Sequence, residues 1–132
     1  MLSRCELIDL VQNRYFAAID ENRLDDTLAC VAPDCVWTVY PAGTRLVGRD
    51  GQIREAFASA FERYPAMWHG NFEWIVDVEA QRLCAVFDVR LVDRQGRESN
   101  LSNAKIFRVE DGRFTRLDLY FSTAEPVVEA PR

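Results

Sequence analysis

The chain has 132 residues, of which 48% are hydrophobic and 28% charged, with four cysteines, one histidine and a formal net charge of −5. That length fits one domain whose core is large enough to fold unaided, and the composition is neither disordered nor collagen-like. A pI near 4.9 argues against a nucleic-acid binder, which needs a basic surface, and a single histidine excludes a site built from several imidazoles.

The start, Met1-Leu2-Ser3-Arg4-Cys5-Glu6, lacks the apolar core and cleavage site of a signal peptide, and no uncharged apolar run is long enough to cross a membrane. The expectation is a cytoplasmic protein. Cys5, Cys30, Cys35 and Cys84 form no CxxC pair and no zinc-spaced cluster, so they read as small hydrophobes; a Cys30–Cys35 disulfide is disfavoured in a reducing compartment.

Ser3-Arg4-Cys5-Glu6 is a capping-box pattern, followed by Leu7, Leu10, Val11, Phe16, Ala18 and Ile19 at helical spacing, with Asp20-Glu21-Asn22 as the end. A short second helix carries Leu24, Leu28 and Val31 and stops at Pro33. Val36 to Tyr40 reads as a strand closed by the turn Pro41-Ala42-Gly43. A third helix begins near Asp50 or Gly51, places Ile53, Phe57, Phe61 and Tyr64 on one stripe, and ends at Pro65. From Phe72 the period becomes two, and further strands are predicted near 83–93, 98–109 and 113–122. The pattern predicts an α+β fold, with three N-terminal helices against a curved sheet. Residues 1–122 are expected to form one domain and 123–132 a flexible tail.

Register arithmetic assigns the sheet faces. A two-residue loop at Gln95-Gly96 sets Arg90 opposite Leu101 and Asp88 opposite Asn103; a loop at Glu110-Asp111-Gly112 sets Lys105 opposite Leu117. One face then carries Val86, Asp88, Arg90, Val92, Leu101, Asn103, Lys105, Phe107, Leu117, Leu119 and Phe121. Charges among apolar groups are costly unless paired or placed in a pocket, so this face predicts a pocket; the alternative is a solvated face with ordinary ion pairs. The opposite face is apolar with charges at one end, which suits burial against helices or another subunit.

Several segments carry a family resemblance. They are Gln12-Asn13-Arg14-Tyr15-Phe16-Ala17-Ala18-Ile19, Tyr40-Pro41-Ala42-Gly43, Ile53-Arg54-Glu55, Asp93-Arg94-Gln95-Gly96-Arg97, residues 106–113 and Leu119-Tyr120-Phe121. In order and spacing the chain resembles the nuclear-transport-factor-2-like superfamily, of the SnoaL-like and ketosteroid-isomerase-like kind. The resemblance implies a cone-shaped α+β barrel (cystatin-like), a small-molecule pocket at its wide end and a homodimer. It places Tyr15 at the oxyanion tyrosine of the ketosteroid isomerases, Tyr40 (or Val39) at the base position, Lys105 at the second oxyanion acid and Phe57 at a supporting tyrosine. With the carboxylate base missing and the neutral acid replaced by a cation, the usual ketosteroid-isomerase mechanism is not available.

The candidate catalytic residues are therefore Tyr15, Tyr40, His69, Asp88 and Lys105. Tyr15 and Lys105 would be oxyanion donors, His69 or Tyr40 the proton carrier, and Asp88 the orienter. Phe57, Trp68, Arg90, Asn103, Phe107, Leu117, Leu119 and Phe121 would contact the substrate. The expected function is proton transfer next to a carbonyl on a mostly apolar small molecule: isomerisation, cyclisation or dehydration, with no metal or redox cofactor implied. The alternative is a non-catalytic ligand-binding or dimerisation module. A minor one is an epoxide-hydrolase-like hydrolase, because Asp88-Val89-Arg90 reverses the Arg-x-Asp of those members, although Leu119 stands where they carry a second Asp.

Overall fold

The helical layer begins where the sequence predicts. In the computed structural model, which describes residues 1–123 together with 127, 128 and 131, the Ser3 hydroxyl accepts from Glu6 N–H while the Glu6 carboxylate accepts from Ser3 N–H. Both orphan donors at the helix start are satisfied. Helix α1 (Arg4–Asp9) runs through a π-helical stretch (Leu10–Phe16) into α2 (Ala17–Asp20). The widened turn has a packing consequence. One extra residue per turn lets Val11 and both Tyr15 and Phe16 face the core. Helix α3 (Leu24–Ala29) is short, and the helix predicted after the turn forms as a π-helical stretch (Gly48–Ile53) leading into α4 (Arg54–Arg63).

Six strands form one sheet: β1 (Val31–Tyr40), β2 (Thr44–Val47), β3 (Ala66–Asp77), β4 (Arg82–Val92), β5 (Glu98–Glu110) and β6 (Arg113–Tyr120). Their order is β2-β1-β6-β5-β4-β3, with β1 parallel to β6 and every other pair antiparallel. This is the predicted α+β cone, a curved sheet with the helices on its inner face. The first strand starts earlier than predicted. Pro33, expected to stop a helix, lies inside β1, where the register with β6 shifts between Val31 and Val36 and so needs no ladder N–H from the proline. The four-residue β2 is too short to show a period in the sequence.

Both late hairpins differ from the register count. The loop after β4 has three residues, Arg94-Gln95-Gly96, because Asp93 N–H donates to Arg97 O at 2.9 Å and Gly96 N–H to Asp93 O at 3.0 Å. The Asp93 carboxylate also takes the N–H groups of Gln95 and Arg97, and Gly96 adopts φ 78°. A type I turn followed by a left-handed glycine is the favoured three-residue hairpin loop. The extra residue sets Asp88 opposite Ser102 and Phe87 opposite Asn103, which reverses the faces of β4 relative to β5. The next loop is two residues, Asp111-Gly112, and Thr115 bulges from β6 between the Val109–Phe114 and Arg108–Arg116 pairs. These two departures cancel, so Leu117 and Leu119 stay on the face of Lys105.

The core lies between the helices and this face. Tyr15, Phe107 and Phe114 are fully buried at its centre, with the Tyr15 ring edge-on to both phenylalanines at 5.8 and 5.1 Å. Cys30 and Cys35 are buried free thiols. Of the expected tail, residues 124–126, 129, 130 and 132 lie outside the described residues, whereas Val127 and Val128 pack against the core.

Candidate active site

An apolar cavity of about 70 Å³ lies between the helices and the inner face of the sheet. At roughly 10–15 Å³ per water, it has room for several waters or one small organic molecule. Phe16 and Ile19 from the first helices, Phe57 and Phe61 from α4, and Phe87, Val89 and Leu91 from β4 form most of its wall. Trp37 stacks on Phe57 at 5.0 Å and closes one side; Val127 and Val128 reach the mouth. Polar residues on this wall are few: His69, Asn103 and Lys105, together with Tyr64 and Trp37.

Lys105 is the most unusual of them. Its side chain is buried and its Nζ donates to the Tyr15 hydroxyl at 2.6 Å. Aromatic rings supply the rest of its surroundings, with Nζ 4.7 Å from the Tyr15 ring centre and 4.6 Å from that of Trp37. Burial without a carboxylate partner penalises the ammonium form, and the amine is pulled down to about 7. Burial likewise raises the Tyr15 phenol well above its usual value and the Cys35 thiol to about 12, so both neighbours are neutral.

His69 approaches from β3. Its ring stacks on Phe16 at 4.7 Å, and its Nδ1 lies 2.5 Å from Asp20 Oδ1. The second carboxylate oxygen of Asp20 accepts the His69 backbone N–H at 3.0 Å. The last residue of α2 thus grips both the backbone and the ring of the histidine, whose side chain is 11% exposed. A carboxylate can only accept, so Nδ1 carries a hydrogen, and in the neutral ring the lone pair is then on Nε2. The expectation named no role for Asp20, because a carboxylate at a helix end reads locally as a terminus and its partner is 49 residues away.

The cavity gathers His69, Lys105, Phe57, Asn103, Leu119 and Phe121 from the predicted set. Tyr15, Phe107 and Leu117 are fully buried behind the wall, so Tyr15 reaches the site only through Lys105. Four predicted residues are elsewhere. Asp88 faces outward, bonded to Asn71 and Ser102, whose hydrogen bonds hold its carboxyl below the usual carboxylate range. Arg90 forms a two-pronged pair with Glu98 at 2.7 and 3.0 Å on the same outer face. Both moved with the β4 register. Trp68 pairs across from Arg90, is 46% exposed and lies over Gly70, where any side chain would overlap its indole. Tyr40 stacks on Tyr120 at 4.5 Å on the outer face, leaving Val39 as the buried neighbour. With Asp88 outside and Leu119 inside, the hydrolase pattern of the epoxide-hydrolase-like members is not assembled.

Residues 13–117 match the SnoaL-like domain family. The chain is a SnoaL-like protein. Solved structures agree at the level of fold. A candidate polyketide cyclase from Xanthomonas campestris pv. campestris is 24% identical, with a TM-score of 0.79 over 90% of this chain and 92% of that one. An NTF2-like protein of unknown function from Burkholderia pseudomallei K96243 is 23% identical, with a TM-score of 0.77 over 96% of each. TerC, co-crystallised with polyporic acid, is 19% identical, with a TM-score of 0.74 over 89% of this chain and 92% of that one. No curated protein matches the sequence.

For a SnoaL-like protein the wall chemistry is informative. Among the described residues no three His, Cys, Asp or Glu side chains gather as a metal site, and no helix is long and apolar enough to cross a membrane. What the cavity offers is an oriented imidazole, a buried amine, an amide and a large aromatic surface.

Proposed function

We propose that this SnoaL-like protein catalyses proton transfer next to a carbonyl group of a small, mostly apolar substrate, as an isomerase, cyclase or dehydratase. The observation that carries this reading is the Asp20–His69 pair at the wall of the cavity. Nε2 of His69 takes the α-proton while Asp20 holds the ring and stabilises the imidazolium that forms. Lys105, supported by Tyr15, is the group that meets the developing enolate oxygen; a cation or donor in a water-poor site is most effective where charge develops. The TerC complex and the cyclase-like neighbours support a small-molecule role by analogy of fold.

The test is α-proton exchange in D2O with a panel of small cyclic ketones, cyclohexanone first, followed by NMR. Wild type should accelerate deuteration, and His69→Gln should lower that acceleration by at least about 100-fold. Equal rates for the two proteins, or no acceleration by wild type across the panel, would favour the ligand-binding module instead.

We further propose a homodimer through the outer sheet face. Trp68, Ile75, Val86 and Tyr120 expose apolar surface there, Ile75 at 72%. Light scattering should give a dimer mass for wild type and a monomer for Ile75→Asp; a monomeric wild type removes this interface.

A further inference from the structure

Lys105 is the only lysine in the sequence; every other cationic side chain is an arginine, apart from His69. Among the described residues it is also the one basic side chain placed in the core, on the wall of an apolar cavity. An arginine could not replace it in one respect. A guanidinium stays charged and is not a nucleophile, whereas an amine that loses its proton has a lone pair for carbon. The position therefore calls for the chemistry that distinguishes lysine from arginine, which a purely electrostatic role does not need.

We propose that the Lys105 amine captures aldehyde or ketone substrates covalently, as an imine. The proposal deepens the carbonyl reading above and rests on its assignment of the cavity. The surroundings suit each step. No carboxylate forms an ion pair with Nζ among the described residues, and the Tyr15 hydroxyl, 2.6 Å away, holds the amine in place. The lowered proton affinity of the buried amine leaves a substantial neutral fraction near pH 7. The titratable groups nearest to it, Tyr15 and Cys35, are neutral, and His69 lies across Phe16, whose ring centre is 5.9 Å from Nζ and 4.7 Å from the imidazole centre. Trp37 Nε1 is buried without an acceptor among the described residues, and a carbonyl oxygen bound beside the amine would supply one.

The chemistry balances without a further reactant. The Nζ lone pair forms a C–N bond to the carbonyl carbon as the C=O π pair moves onto oxygen, and a proton passes from the new ammonium nitrogen to that oxygen to give the carbinolamine. His69, in its protonated form, donates its proton to that hydroxyl; the C–O bond breaks, the nitrogen lone pair forms the C=N bond, water leaves and an iminium remains beside a neutral imidazole. The iminium acidifies the α-carbon, so His69 can remove an α-proton while the electron pair moves to nitrogen as an enamine. Reprotonation and addition of water reverse the sequence and free the lysine.

The test uses benzaldehyde, which fits an aromatic wall and has no α-hydrogen, so that capture is read apart from α-proton transfer. The whole protein is incubated with benzaldehyde and sodium cyanoborohydride, and the product is read by intact mass and peptide mapping. The expected result is one benzyl group on Lys105, formed faster as pH rises through about 7, and its complete loss in Lys105→Met. Mapping the wild-type adduct decides the matter even if that variant folds poorly. A label confined to the N-terminal amine, or none, overturns the proposal. If Lys105 stays unlabelled while cyclohexanone exchange proceeds, the imine fails and the proton-transfer reading stands. Labelling of Lys105 without any such exchange upholds the imine and removes the proton-transfer reading.

Discussion

Lys105 Nζ lies 2.6 Å from the Tyr15 hydroxyl, joining β5 to the first helices across 90 residues of chain, in a place where neither side chain meets an ion of opposite sign. A buried amine held in this way makes stability depend on pH with a definite sign. Its affinity for a proton falls from 10.5 in the unfolded chain to about 7 in the folded one, so between those values the unfolded chain binds more protons. Stability then rises with pH. Between pH 7 and pH 9 the gain is about 2 kcal/mol. Lys105→Met, close in volume and without the charge, should be more stable than wild type at pH 7, and its advantage should shrink by that amount at pH 9. Urea denaturation of both proteins at the two pH values checks this; an advantage that does not change with pH would mean that Lys105 keeps its proton in the folded state up to pH 9, as in the unfolded chain.

Asp20 holds the only histidine of the chain, which makes the pair directly visible by NMR. Wild type should show one protected, far-downfield imidazole N–H signal, and Asp20→Ala should lose it. Asp20→Ala also frees the His69 backbone N–H and should cost about 1–3 kcal/mol, measured by denaturant unfolding. Persistence of the downfield signal in Asp20→Ala would point to another acceptor for Nδ1.

The β4 register predicts opposite outcomes for Asp88 and Lys105. Asp88→Ala breaks contacts to Asn71 and Ser102 on the outer face and should leave benzaldehyde capture and ketone exchange at their wild-type rates. A substantial loss of either would place Asp88 back in the site.

Phe57 packs between Trp37 and Phe61 and is 4% exposed. Phe57→Ala should enlarge the cavity and cost about 3–5 kcal/mol in denaturant unfolding. The enlarged cavity should also bind bulkier aromatic ligands, read as a thermal shift with naphthalene-sized compounds that leave wild type unchanged.

Much of the fold was legible locally. The Ser3–Glu6 capping box, the apolar stripe of the first helix, the stop at Pro65 and the period-two strands all depend on neighbours within a few residues. Placing Lys105 with Asn103, Leu119 and Phe121 on one face also followed from alternation along β5 and β6. The faces of β4 did not follow. Side chains alternate with a period of two, so a loop of three residues instead of two exchanges every face of the next strand. That extra residue depends on Asp93 taking the N–H groups of Gln95 and Arg97, a contest between side-chain and ladder hydrogen bonds that composition does not decide. Tertiary structure alone brought Asp20 to His69, because a helix end and a strand 49 residues away meet only when the helices pack against the sheet. The sequence by itself determined the family of fold and an inward-facing lysine. Which carboxylate meets His69 was decided by packing, since a hydrogen-bonded pair is a relation between elements and not a property of either.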